Sequence, residues 1–302
     1  MWRVHLALLS VQLLFGLWPV AGTAVMREMS PPALIGFRLA LGAPLLVLVA
    51  GLPWRRLPSR RDLLSLAGLA ALGISVNQLL FAEGLHRAGP INASITILLI
   101  PAVSLGVGTV LGLEKPSRAR LTGIAIALLG AAILLGVERI DLGDRRFVGN
   151  LMLVTNASVY ALYLVLARPV IARLGSLNTV AWVFVLGALE AAPLTVKPVL
   201  SVHWLSLPAA TYGALVFVLF GATLGTYLLN AYALRRVESS VVAVYVYLQP
   251  VIATVASWAL LGIVPTRRAL VAAIVIIAGV AVSADLPAIV LRRWAGTRAP
   301  DG

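Results

Sequence analysis

Residues 85–103, LHRAGPINASITILLIPAV, align with residues 234–252, LRRVESSVVAVYVYLQPVI, when the second half of the chain is laid over the first. In this alignment Pro101 meets Pro250, an offset of 149 residues. The same offset produces further matches: Leu85 with Leu234, Arg87 with Arg236, Pro116 with Pro265, Arg118 with Arg267, and Gly130 with Gly279. Self-similarity at one fixed offset indicates an internal repeat, so we predict a chain built from two related halves.

The composition places these halves in a membrane. The 302 residues are 61% hydrophobic and only 12% charged, against roughly 25% charged residues in soluble domains. Their mean hydropathy is +1.00. The formal net charge of +13 is better explained by Lys and Arg in loops, which orient membrane proteins, than by nucleic-acid binding. The chain has no cysteine, so disulfides and thiol chemistry are excluded.

Ten apolar stretches are long enough to cross a bilayer, which takes about 17 to 25 helical residues. They cover approximately residues 4–26, 32–52, 63–85, 90–113, 121–137, 148–167, 177–196, 209–234, 241–264 and 269–284. We therefore predict an all-α integral membrane protein with ten transmembrane helices in two five-helix repeats, over residues 1–140 and 141–302. Because five is odd, the second repeat enters the membrane inverted, which is the plan of many secondary transporters.

The matched prolines lie inside apolar stretches that otherwise read as continuous helix. A proline removes one backbone donor and tends to kink or break the helix. Pro101 and Pro250 therefore predict a pair of interrupted helices, the fourth and the ninth, that meet near the midplane and line a substrate path. The alternative is that both kinks serve helix packing alone.

Polar side chains recur on single faces of several predicted helices, since residues at i, i+3, i+4 and i+7 share a face. They are Asn77 and Gln78 in the third helix, Asn92 and Thr96 in the fourth, Asn156, Tyr160 and Tyr163 in the sixth, Thr223, Thr226, Tyr227 and Asn230 in the eighth, and Tyr245 and Gln249 in the ninth. Such side chains either bond across helices or line water. Their recurrence in matching helices predicts a substrate-binding cavity, with Tyr247 facing away from it.

Only three charged side chains lie within the predicted spans: Arg38, Glu83 and Glu190. An ionisable residue at this depth is costly and is a functional candidate by default. We expect Arg38 to contribute to the substrate site and to form a buried ion pair with Glu190 or Glu83. Either carboxylate is a candidate for binding a coupling ion. Glu83 has a second option, because Arg87 follows it at i+4.

Several segments occur in a characteristic order and spacing: FRLALGAPLLVL at 37–48, NQLLFAEGLHRAGPINASI at 77–95, LLIPAV at 98–103, EKPSRARLTGIAIALLGAAIL at 114–134, NAYALRRVESS at 230–240, YLQPVIA at 247–253 and PTRRALVAAIVIIAGV at 265–280. Taken together, they resemble the EamA-type members of the drug/metabolite transporter superfamily. The resemblance implies a ten-helix carrier in a bacterial-type inner membrane. It also implies outward transport of an amino acid or related metabolite, with the proton as coupling ion.

We predict a secondary transporter working by alternating access, with a small-molecule substrate and membrane lipids as partners and with no cofactor, bound metal or enzymatic activity. The oligomeric state stays open. Two alternatives are an intramembrane enzyme acting on lipid head groups and a structural subunit of a membrane complex. The first calls for a cluster of Asp, Glu or His at one interface, which the sequence lacks. The second would not need the recurring polar faces.

The distribution of basic residues predicts that both termini are cytoplasmic. With the N-terminus inside, 15 of the 24 Lys and Arg residues fall on the inner side and 8 on the outer side, as the positive-inside rule requires. A fluorescent protein fused after Gly302 should therefore fluoresce, and Gly143→Cys should react with a membrane-impermeant thiol reagent added from outside. A dark fusion together with an unreactive cysteine would reverse the assigned orientation.

Overall fold

The computed structural model describes residues 2–51, 58–113, 118–136, 141–226, 229, 245–246 and 248–283, and every regular element in those ranges is helical. In chain order the helices are α1 (Trp2–Val25), α2 (Pro31–Val49), α3 (Arg60–Ala88), α4 (Pro90–Val110), α5 (Arg118–Leu135), α6 (Arg145–Leu174), α7 (Ser176–Leu200), α8 (Ala209–Gly225), α9 (Leu248–Leu261) and α10 (Arg267–Ser283). A helix satisfies its backbone groups within one segment, which hydrocarbon surroundings demand.

Six of these helices, α1, α2, α3, α4, α6 and α7, are long and apolar enough to cross a membrane. The remaining predicted crossings correspond to the shorter helices α5, α8, α9 and α10. Five of the predicted spans, 32–52, 121–137, 209–234, 241–264 and 269–284, include residues outside the described ranges. The protein is thus an all-helical, multi-pass membrane protein, while the count of ten crossings stays a prediction.

Two helices contain π-helical segments at matching positions. We call the π-helical segment Ala71–Ser75 the α3 π-turn and the π-helical segment Phe217–Gly225 the α8 π-turn. The offset that aligns Leu85 with Leu234 carries residues 71–75 onto residues 220–224, inside the second segment. A π-turn is a rare local deviation from α geometry that occurs frequently at functional sites. The relation between the two halves therefore appears in the backbone as well as in the sequence.

The backbone departs from regular α-helix four residues before each of the two matched prolines. Helix α4 is broken by a turn at residues 97–98, where the carbonyl of Ile97 lies four residues before Pro101. Pro101 has no N–H to offer that carbonyl. Val246, four residues before Pro250, likewise forms a turn just ahead of α9.

Glycines allow helices from the two halves to approach closely. A Cβ placed on Gly130 of α5 would lie 2.9 Å from the backbone nitrogen of Ile276, and one on Gly279 of α10 would lie 2.4 Å from that of Ala127. At the offset of 149 residues Gly130 corresponds to Gly279 and Ala127 corresponds to Ile276, so the two contacts are equivalent. The helices α5 and α10 are therefore packed as a two-fold-related pair.

The α2 and α7 glycines show a similar exchange of contacts. A Cβ on Gly42 of α2 would lie 3.6 Å from Thr223 in the α8 π-turn. One on Gly187 of α7 would lie 2.5 Å from Ile74 in the α3 π-turn. Ile74 and Thr223 correspond at the same offset. The second helix of each half thus packs on the π-turn of the other half.

The close α5–α10 contact predicts that the same substitution affects stability differently at two glycines. Gly279→Ala should lower the thermal unfolding midpoint, because the added methyl meets backbone, and overpacking of this kind costs about 1–3 kcal/mol. Gly213→Ala in α8 is the matched control, since nothing lies within 4 Å of its Cβ position. Tryptophan fluorescence during heating of the purified protein measures both. Equal midpoints for the two variants would contradict the close α5–α10 contact.

Candidate substrate site

Arg38 forms the middle of a buried group of polar side chains that we call the polar centre: Arg38, Trp18, Gln78 and Thr223. Arg38 is 7% exposed. Its Nε donates to Thr223 Oγ1 at 2.7 Å, its Nη1 to Gln78 Oε1 at 3.2 Å, and its Nη2 to the Ala222 carbonyl at 3.3 Å. Its guanidinium carbon lies 4.8 Å from the centre of the Trp18 ring. The polar centre joins α1, α2, α3 and α8.

The polar centre lies deep because of where α2 begins. Two prolines occupy the first helical turn, Pro31 and Pro32, where no intrahelical donor is needed. Arg38 follows seven residues after Pro31, which places it about 10 Å along the helix axis. A buried guanidinium is costly unless its donors are satisfied. Here the α8 π-turn supplies a carbonyl and a hydroxyl, and α3 supplies an amide oxygen.

The expected ion pair of Arg38 with Glu190 or Glu83 is not formed among the described residues. Glu83 lies 3.4 Å from Arg87 instead, so its alternative i,i+4 partner is the one observed. Glu190 accepts a hydrogen bond from Ser75 Oγ at 2.7 Å. The physical reason is that the Arg38 guanidinium points its donors at uncharged polar atoms of α3 and α8.

The predicted polar faces of α3 and α6 meet in a reciprocal bond. Asn77 Nδ2 donates to the Asn156 carbonyl at 3.3 Å, and Asn156 Nδ2 donates to the Asn77 carbonyl at 2.7 Å. On the next helix, Asn92 Nδ2 donates to Asn150 Oδ1 at 2.8 Å, and Asn150 in turn donates to the Leu134 carbonyl. These asparagines hold helices together in this conformation. Sequence analysis missed Asn150, which lies close to the start of α6.

The predicted face of the ninth helix, Tyr245 with Gln249, meets α1. Gln249 Nε2 donates to Gln12 Oε1 at 2.6 Å, and both residues are buried. The Tyr245 hydroxyl lies 2.7 Å from His5 Nδ1. Sequence analysis missed His5 and Gln12, although their i,i+7 spacing puts them on one helix face. Tyr247, predicted to face away, lies outside the described residues.

The other predicted residues divide into three groups. Thr96 and Thr226 are buried and return their hydroxyls to carbonyls of their own helices, Thr96 to Ala93 and Thr226 to Ala222 and Thr223. Tyr160 and Tyr163 stack with ring centres 5.5 Å apart. Tyr227 and Asn230 lie outside the described residues.

Two recesses lie along the α2–α7 side of the bundle, and neither is lined by the polar centre. One, of about 260 Å³, has an apolar lining that includes Gly36, Ala40 and Ala192. The other, of about 300 Å³, lies at the ends of the same helices and includes Glu28 and His203. The polar centre itself is closed over in this conformation, since Gln78 is 6% exposed and Thr223 is fully buried.

The fold and this arrangement define a multi-pass membrane protein with a buried polar centre, and comparison with known proteins supplies the family. The chain belongs to the EamA-like transporter family, which matches residues 2–136 and 147–284. An uncharacterized transporter of Archaeoglobus fulgidus is 25% identical over 259 residues, covering 84% of this chain and 88% of that protein. A probable terminal-alkyne amino-acid exporter of Streptantibioticus cattleyicolor is 28% identical over 245 residues, or 80% of each chain.

A solved crystal structure has the same fold as this chain. It superposes with a TM-score of 0.60 at 21% sequence identity, over 94% of this chain and 97% of its own. At that identity the likeness concerns the fold alone. The family and the named relatives together make this protein a transporter with a small-molecule substrate.

The contacts of Arg38 predict which substitutions depend on each other. Arg38→Met and Gln78→Leu should be non-additive in the free energy of unfolding, by about 0.5–3 kcal/mol, because each removes the same hydrogen bond. Arg38→Met and Glu83→Gln should be additive, since Glu83 is bonded to Arg87. Denaturation of the single and double variants in one detergent tests both cycles. If Arg38→Met is instead non-additive with Glu83→Gln and additive with Gln78→Leu, Arg38 forms the ion pair with Glu83 that the sequence led us to expect.

Proposed function

We propose that this protein is a secondary active transporter that exports a small metabolite such as an amino acid by alternating access. It does so as ten transmembrane helices in two inverted repeats, residues 1–140 and 141–302, with both termini on the cytoplasmic side of a bacterial-type inner membrane. The repeat is supported by the two π-turns and by the exchanged contacts of Gly130 and Gly279.

The observation that carries the proposal is the polar centre. It acquires its meaning from the family, whose members are transporters. A guanidinium stacked on an indole recognises a carboxylate, because it offers parallel donors, while the ring covers its apolar side. In the proposed bound state the substrate carboxylate replaces Gln78 Oε1 as a partner of Arg38. Trp18 then contacts the aliphatic part of the substrate. The full proposed site also includes Asn77, Asn92, Thr96, Asn156, Tyr160, Tyr163, Thr223, Thr226, Tyr227, Asn230, Tyr245 and Gln249.

The relative named as a probable terminal-alkyne amino-acid exporter supports an amino acid as the substrate class. An amino acid carries the carboxylate that Arg38 would bind. Its ammonium group would find acceptors in the amide oxygens of the surrounding Asn and Gln residues.

Alternating access requires interfaces that open at opposite ends. With the predicted orientation, the bond between His5 of α1 and Tyr245, three residues before α9, lies toward the inner end, and the Asn92–Asn150 bond between α4 and α6 lies toward the outer end. In the proposed cycle one of these bonds breaks while the other holds. Pro101 and Pro250 act as the hinges, because each interrupts a helix on the moving side.

We assign the coupling ion to the proton and its binding to Glu190. Glu83 is engaged by Arg87 at 3.4 Å, so its charge already has a partner. Glu190 contacts the uncharged Ser75 hydroxyl.

The test is transport by purified protein in proteoliposomes with an imposed proton gradient. Radiolabelled amino acids, including one with a terminal alkyne, are compared with sugars, nucleosides and simple amines. At least one amino acid should be transported, and Arg38→Lys should lower its rate by about tenfold or more, because a lysine cannot reproduce the paired donors.

Arg87→Lys is the matched control for Arg38→Lys, since it makes the same change outside the polar centre. It should transport like the wild-type protein. The proposal fails if no amino acid is transported, or if Arg38→Lys and Arg87→Lys behave alike.

A further inference from the structure

Each π-turn is contacted by a charged side chain from the second helix of the other half. Arg38 of α2 donates to Ala222 and Thr223 in the α8 π-turn. Glu190 of α7 accepts from Ser75 Oγ in the α3 π-turn at 2.7 Å. The two contacts occupy related places in the bundle, but one side chain is cationic and the other is acidic.

The surroundings of Glu190 suit a side chain that gains and loses a proton. It lies ten residues before Leu200, the end of α7, which is about 15 Å along the axis and half the thickness of the hydrocarbon core. It lies at the surface of the helix bundle, and its carboxylate is partly covered where it accepts the hydrogen bond from Ser75. No ion pair involves it among the described residues, so protonation there breaks no salt bridge.

Few other ionisable groups face this region from the packed helices. Tyr163 of α6 packs on Gly73 in the same π-turn, where a Cβ would lie 2.6 Å from its ring. Arg38 of α2 is bonded to α8 and α3. Lys197 lies two turns further along α7. Asp62 of α3 and Arg173 of α6 form a salt bridge with each other at the ends of their helices.

We propose that Glu190 binds the coupling proton and that Ser75 is the positioning residue that transmits its protonation state to the α3 π-turn. This inference rests on the proposed transport function. With Glu190 ionised, the Ser75 hydroxyl donates to its carboxylate, as observed. When a proton from water adds to the carboxylate, the bond reverses, and the Glu190 hydroxyl donates to Ser75 Oγ. The Ser75 proton then turns to the Ala70 carbonyl, already 3.5 Å away.

This reversal acts on the backbone next to the π-turn. The Ala70 carbonyl precedes the π-turn, and a serine hydroxyl that bonds back to a carbonyl of its own helix competes with the backbone N–H for it. Conversion between π and α geometry changes the helix register by one residue, or about 100° of rotation. The N-terminal part of α3 therefore rotates relative to the rest of the helix.

The same helix reaches the substrate site one turn later. Gln78 follows Ser75 by three residues and accepts a hydrogen bond from Arg38. A rotation at the π-turn thus changes the position of Gln78 relative to Arg38. Proton binding at Glu190 and substrate binding at Arg38 act on one element, so each alters the affinity for the other, as linkage requires.

The experiment measures the rotation directly with spin labels at Gly68→Cys in α3 and Gly213→Cys in α8. Both positions are exposed, have nothing within 4 Å of the Cβ position, and are the only thiols in a chain without native cysteine. Pulsed electron–electron double resonance on the labelled protein in nanodiscs should show two distances between the labels. The more populated of the two distances at acidic pH should be the less populated one at alkaline pH. Wild-type populations that ignore pH would overturn the proposal.

Three further variants of the labelled protein locate the response. Glu190→Gln should abolish the pH dependence and leave one population. Ser75→Ala should also abolish the pH dependence, because no hydroxyl is left to carry the protonation state of Glu190 to the α3 π-turn. Glu83→Gln, the matched control, should respond like the wild-type protein. A pH response that survives Glu190→Gln, or one that Glu83→Gln abolishes, would assign the proton elsewhere.

The outcome is separable from that of the transport assay. Transport of an amino acid without a pH-dependent label distance would retain the proposed function and reject the proton switch. A switch lost in Glu190→Gln, in a protein that transports none of the solutes tested, would retain the switch and reject the proposed substrate class.

Discussion

The structure depends on one constraint: inside a bilayer, every backbone group that a helix leaves unpaired must find a partner within the protein. The α3 and α8 π-turns and the breaks before Pro101 and Pro250 all disturb the regular backbone bonding of their helices. At the α8 π-turn the Ala222 carbonyl accepts hydrogen bonds from two side chains, Arg38 and Thr226. An irregular backbone is thereby converted into a binding surface for a charged side chain.

The helix contacts between the halves divide into two kinds. At α5–α10 the glycines Gly130 and Gly279 bring backbone against backbone, and such a contact cannot slide without a clash. At α1–α9 and α4–α6 the helices are joined by polar side chains, among them Gln12 with Gln249. Interhelical hydrogen bonds in membranes average about 0.6 kcal/mol. The first kind suits a fixed scaffold, and the second suits interfaces that open and close.

Arg38 is kept apart from the two carboxylates Glu83 and Glu190. Arg38 and Glu190 each contact a π-turn, and Glu83 is bonded to Arg87. A direct pair between Arg38 and Glu190 would neutralise both charges and remove them from the reach of a substrate carboxylate or a proton. Separate uncharged partners leave Arg38 and Glu190 each able to exchange its contact, and the hydrogen bonds of Arg38 offset the cost of burying its charge.

The sequence by itself determined the membrane class, the interrupted fourth helix and the family, and it predicted the repeat. These follow from hydropathy, from residue spacing and from the missing N–H of Pro101, which are local properties of the chain. It also predicted the polar faces, because helical periodicity assigns Asn77, Gln78, Tyr245 and Gln249 to their faces without knowledge of any neighbour. Only the tertiary structure decided what those faces contact. The partner of a long side chain depends on helix rotation and depth, which packing sets, so Arg38 reaches Thr223 and Gln78 rather than the carboxylates that charge alone favoured.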